Sequence, residues 1–107
     1  MTDPAVLAAL RAAVAELMPQ AVAELTELVA IPSVSWPAFD ASHVRHSAEA
    51  IAGLAASTGV FAEVGVHTAA IAESAERGQP AVLAVRAAEA GRRRVVLYAH
   101  HDVQPVG

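Results

Sequence analysis

The stretch "VVLYAHHDVQPVG", Val95 to Gly107, decides how the rest of the chain is read. A run of apolar residues, Val95-Val96-Leu97-Tyr98, leads straight into His100, His101 and Asp102. β-Branched and aromatic residues in such a run predict a strand, here over residues 93–100. Side chains on a strand alternate between its two faces. Tyr98, His100 and Asp102 would then share one face, with Ala99, His101 and Val103 on the other. His100 and Asp102 are therefore the pair that can cooperate. A histidine whose ring is oriented by a carboxylate is a common arrangement behind a metal ion. It is equally an ordinary hydrogen-bonded pair at a strand end, and the spacing alone does not separate the two.

Upstream, residues 80–87 are again rich in Val, Ala and Leu and predict a second strand. The link Glu89-Ala90-Gly91-Arg92 is too short for a crossover helix, so residues 80–87 and 93–100 are expected to pair as an antiparallel hairpin. Residues 60–67 alternate in part and predict a third strand. The segment Ala69 to Gln79 reads as a short helix or a long loop.

The first half of the chain is helical in pattern. Residues 4–30 carry apolar stripes at helical spacing: Leu7, Leu10, Val14 and Leu17, then Val22, Leu25, Leu28 and Val29. Thr2 or Asp3 can cap, and Pro4 suits the first turn. Pro19 lacks an N–H and crowds the preceding turn, so either two helices or one kinked near residues 18–19 are expected. Ile31-Pro32 ends the segment, because the residue before a proline avoids the α region. "PSVSWPAFDAS" is a loop. Residues 42–58 predict another helix, with Ser42 as cap, Val44, Ala48, Ile51 and Leu54 on one face, and Gly59 as terminator. Two helical blocks followed by three strands make an α/β or α+β arrangement.

Composition narrows the function classes. The chain has 107 residues and a net charge of −4, enough for one domain. Apolar residues make up 55%, but aromatics only 4%, so Ala and Val dominate and little area per residue is available for burial. A domain of this size is marginal unless it packs on something larger. All cations are arginines, and the one cluster, Arg92-Arg93-Arg94, lacks the interleaved aromatics of a nucleic-acid face. Cysteine is absent, so a metal site would have to use His, Asp and Glu. The acidic, proline-containing N-terminus is unlike a signal peptide. Uncharged runs fall short of the roughly 18 residues that span a bilayer. The expectation is a cytoplasmic protein with neither nucleic acid nor membrane as partner.

"YAHHDVQP", Tyr98 to Pro105, resembles the signature of the co-catalytic di-zinc peptidases and deacylases. These include carnosinase-type dipeptidases, carboxypeptidase G, aminoacylase and succinyl-diaminopimelate desuccinylase. In that family a hydrophobic strand ends in Tyr-Gly-His-Tyr-Asp-Val-Gln-Pro or a close variant. "LTELVAIPSVS", Leu25 to Ser35, is similar to the family's first helix and its following turn. "GQPAVLAV", Gly78 to Val85, is similar to the strand before the histidine strand. The Val-Gln-Pro ending is nearest the dipeptidase branch. The chain departs from the pattern at Ala99, where the family has Gly, and at His101, where it has Tyr.

The resemblance implies an α/β fold: the N-terminal fragment of a three-layer zinc-peptidase catalytic domain, helices followed by a small mixed or antiparallel sheet. It implies that His100 is a ligand of one zinc and that Asp102 holds its imidazole. It implies two zinc ions per complete site, with cobalt or manganese as substitutes. The reaction would be hydrolysis of the amide bond of a dipeptide or an N-acyl amino acid. Family members carry their bridging aspartate, general-base glutamate and remaining ligands beyond the histidine strand. This chain is accordingly expected to be the N-terminal portion of a longer domain, inactive alone, with open strand edges that favour self-association. The alternative is a non-catalytic small α/β domain that binds a partner or a single metal.

Other polar residues offer weaker candidates. His43 and His46 are three apart on the second helix, with Glu49 a turn further, as a private metal or anion site would require. The apolar stripe lies opposite, which favours a solvated face. His67 stands alone at a strand end. Glu24, Glu27, Glu73 and Glu76 read as solvated charges.

Overall fold

The structure, a computed structural model, describes residues 2–107. It comprises two units, the N-terminal segment through Ala30 and Ile31–Gly107.

The first unit is one helix, α1 (Pro4–Ala30). Asp3 caps it: its side chain accepts from the Ala5 N–H at 2.8 Å and its carbonyl from Leu7 N–H at 3.0 Å. Pro4 stands at the first position, where its missing N–H costs nothing. The helix runs unbroken through Pro19, which removes one N–H from the ladder without ending it. Of the two arrangements expected near residues 18–19, two helices or one kinked helix, the first is not found. None of the described α1 residues is buried, and Leu10, Val14, Leu17 and Leu25 are all more than half exposed. By length and composition alone α1 could cross a membrane, a test that core helices of soluble proteins also pass.

The second unit is a small mixed α/β arrangement. It holds α2 (Ala41–Ser57) and two strands, β1 (Glu63–His67) and β2 (Ala81–Val85). The cap of α2 is Asp40 rather than Ser42: the Asp40 carboxylate accepts from the Ser42 backbone N–H at 2.9 Å. The helix stops where expected, because Gly59 takes φ +66°, a left-handed conformation that glycine adopts without steric cost.

β1 and β2 pair antiparallel, Glu63 opposite Val85 and His67 opposite Ala81. α2 packs across both strands. Along β2, Val82 and Ala84 are half-buried while Leu83 and Val85 face out, the alternation of a one-sided sheet. The connection from Thr68 to Pro80 is a loop, not a helix. Gly78 N–H bonds to the Ala69 carbonyl at 2.8 Å, and the Arg77 guanidinium folds back on Thr68.

The hairpin expected between residues 80–87 and 93–100 is absent. β2 pairs with β1 instead, and residues 86–107 form no strand. A turn does form at Glu89–Arg92, with Arg92 N–H on the Glu89 carbonyl at 3.0 Å and Gly91 at φ +77°. Beyond it Val95, Val96, Leu97 and Tyr98 are 75–94% exposed. β-Propensity expresses packing against sheet neighbours, and this segment has none in the described structure. The core sits elsewhere. Ser33, Val34, Val44, Ser47 and Ala48 are its buried residues, gathered where the 31–35 turn meets the first half of α2.

Candidate functional site

His100, His101 and Asp102 lie at this small core, in irregular backbone. Chain reversal at Glu89–Arg92 returns the polypeptide toward the 31–35 turn. There Val103 N–H bonds to the Ser33 carbonyl at 3.2 Å. The His101 carbonyl accepts from two hydroxyls, Ser47 Oγ at 2.9 Å and Ser33 Oγ at 3.4 Å. Both serines are 1% exposed or less, and the shared carbonyl acceptor is what lets them be buried.

The two histidines diverge. His101 is half-buried, with Nε2 at 2.9 Å from the Pro80 carbonyl and Nδ1 at 3.1 Å from Ser47 Oγ, whose single proton serves either Nδ1 or the His101 carbonyl. A carbonyl only accepts, so Nε2 carries a proton and is closed to a metal. His100 is largely exposed. Its Nδ1 lies 3.0 Å from Asp102 Oδ1 and 3.1 Å from the Asp102 carbonyl. Both partners are acceptors, so Nδ1 carries the proton, and the lone pair of the neutral ring falls on Nε2. That nitrogen has no hydrogen-bond partner among the described residues. The residue pair anticipated from alternation is thus brought together, although not by a strand: the carboxylate of Asp102 reaches back to the neighbouring ring directly.

Asp102 is held from the other side as well. Ser35 Oγ donates to its Oδ2 at 2.7 Å, and Gln79 Nε2 donates to the Ser35 carbonyl at 3.1 Å. The Ser35 hydroxyl, followed by the His100 ring, holds the Asp102 carboxyl below the usual aspartate range against the opposing effect of partial burial. The carboxylate is therefore ionised at neutral pH, as an imidazole-orienting group needs to be.

The remaining candidates do not assemble. Glu49 pairs with Arg45 at 2.9 Å, and His43 lies 4.0 Å from Asp40. His67 lies over Gly65, its Nε2 filling the space a Cβ there would need. Among the described residues no three His, Asp or Glu side chains gather as a metal-binding group. A cavity of about 300 Å³ opens at the 86–95 turn, lined by Arg86, Glu89 and Arg92 to Arg94, and excludes His100. Ser33, Ser35, Ser47, Gln79 and Pro80 are site residues that sequence reasoning did not single out. Ser33 and Ser35 lie in "LTELVAIPSVS" and Gln79 and Pro80 in "GQPAVLAV", segments read for their resemblance to the family's turn and strand and not for these side chains.

Comparison with protein-family models, curated proteins and solved structures finds no match for this chain.

Proposed function

We infer that this chain contributes the first metal-ligand segment of a zinc-dependent amide hydrolase of the dipeptidase or deacylase type. Its substrate is a dipeptide or N-acyl amino acid. One observation carries the reading: the His100 ring is fixed by Asp102 in the tautomer that leaves Nε2 as a free lone pair. This is the form a zinc ligand requires, with the carboxylate in the position that raises ligand basicity. His100 would hold the metal and Asp102 would keep the ring oriented. Zinc bound in a two-metal site supplies Lewis acidity toward the scissile carbonyl and an activated water. The other ligands and the general base would come from outside these 107 residues, within a three-layer catalytic domain. Self-association through open strand edges belongs to the same reading. So does a cytoplasmic location.

The second reading is a non-catalytic domain that binds a partner or a single metal. Two experiments separate them. Zinc titrated into protein with ¹⁵N-labelled histidine should shift the His100 Nε2 resonance and leave the His101 ring unchanged. His100→Ala should abolish the response. A response centred on His101, or none at His100, overturns the ligand assignment. For the reaction, residues 1–107 would replace the matching N-terminal part of a di-zinc dipeptidase. Zinc-dependent dipeptide hydrolysis by the chimera supports the function. A folded chimera that holds fewer than two zinc ions and hydrolyses nothing refutes it.

A further inference from the structure

We propose that Ser35 is a positioning residue that fixes the Asp102 carboxylate and, through it, the tautomer and direction of the His100 ring. The inference rests on the reading of His100 as a zinc ligand, but its geometry stands independently. A carboxylate turns about a broad, nearly two-fold torsion and does not by itself select one orientation. Here the two oxygens have different tasks. Oδ1 faces His100 Nδ1 at 3.0 Å, and Oδ2 accepts from Ser35 Oγ at 2.7 Å. An O–H···O⁻ bond of that length is charge-assisted and strongly directional.

Ser35 can direct Asp102 because it is itself pinned. Its carbonyl accepts from Gln79 Nε2 at 3.1 Å, and two residues earlier the Ser33 carbonyl accepts from Val103 N–H at 3.2 Å. The turn carrying the hydroxyl is thus fixed to the backbone on both sides of Asp102, since Ser33 Oγ also donates to the His101 carbonyl at 3.4 Å. The order of dependence runs from the 31–35 turn to Ser35, then Asp102, then His100 Nδ1, leaving Nε2 as the open nitrogen.

The test compares wild type, Ser35→Ala and Ser35→Thr. The His100 ring tautomer is read by ¹⁵N NMR without metal, and zinc affinity is then read at the same ring. In Ser35→Ala the Nδ1–H tautomer of His100 should fall in population, with the Asp102 carbonyl at 3.1 Å from Nδ1 retaining part of it. Zinc affinity should fall about 10-fold, the lower end of what is seen when groups orienting a metal-binding imidazole are removed. Ser35→Thr, which keeps the hydroxyl, should restore both. An unchanged tautomer in Ser35→Ala overturns the proposal. So does a change that Ser35→Thr fails to reverse, because that pattern marks a packing role. If zinc leaves wild-type His100 unmoved, the metal reading fails, while the metal-free tautomer comparison still decides the role of Ser35.

Discussion

Adjacent histidines with identical chemistry take opposite roles because their ring nitrogens meet different partners. The His101 ring is held between Ser47 and Pro80, and its carbonyl faces the two buried hydroxyls of Ser33 and Ser47. His101→Ala keeps the backbone carbonyl that holds Ser33 and Ser47 but takes the ring away from the half-buried Pro80 carbonyl, and should destabilise the protein by about 1 kcal/mol, the scale of one lost hydrogen bond. His100→Ala removes an exposed ring and should stay within about 0.5 kcal/mol. Urea denaturation of both variants checks the contrast, and equal losses would contradict it. Asp102 adds a pH dependence with a definite sign. Its folded-state carboxyl titrates below the usual aspartate value of 3.8, so the unfolded chain binds more protons in the window between the two values. The stabilisation is complete above that usual value and is lost as pH falls through the depressed one. Stability of wild type should therefore drop more between about pH 5 and pH 2 than that of Asp102→Asn. Parallel curves would show that the pair contributes nothing.

At the scale of elements, local signals were read with different success, for identifiable reasons. The α1 cap and the end of α2 were legible because they are local: Asp3 and Pro4 open α1, and Gly59 closes α2 with a positive φ, whereas the α2 cap fell two residues before the expected Ser42, at Asp40. The position of β2 was legible from its composition, its partner was not. Pairing depends on which strand edges meet, and the nearest hairpin partner in sequence, residues 93–100, forms only its turn. The Val95–Tyr98 run therefore has no ladder, and its backbone amides lie open to solvent exchange. In hydrogen exchange these amides should exchange near the unprotected rate, whereas amides of β1 and β2 engaged in the ladder should be slower. Protection at Val96 and Leu97 matching that of β2 would mean that the third strand forms in solution.

For the molecule as a whole, the apolar fraction was a poor guide to the core. Among the described residues only Val34, Val44 and Ala48 are buried and apolar, while Leu10, Leu17, Leu25, Leu97 and Tyr98 remain exposed. The chemical pair was legible because its members are two residues apart. Its supports were not, since Ser35 and Ser47 reach Asp102 and His101 across 67 and 54 residues of sequence. The His101 anchor also has a mechanical side. It ties one point of the chain to α2 through Ser47 and to the start of β2 through Pro80. His100 is the next residue along, about 3.8 Å away between Cα atoms. Any sliding of α2 over the β1–β2 hairpin would pull on that tether, and a single peptide unit would carry the strain to the exposed imidazole.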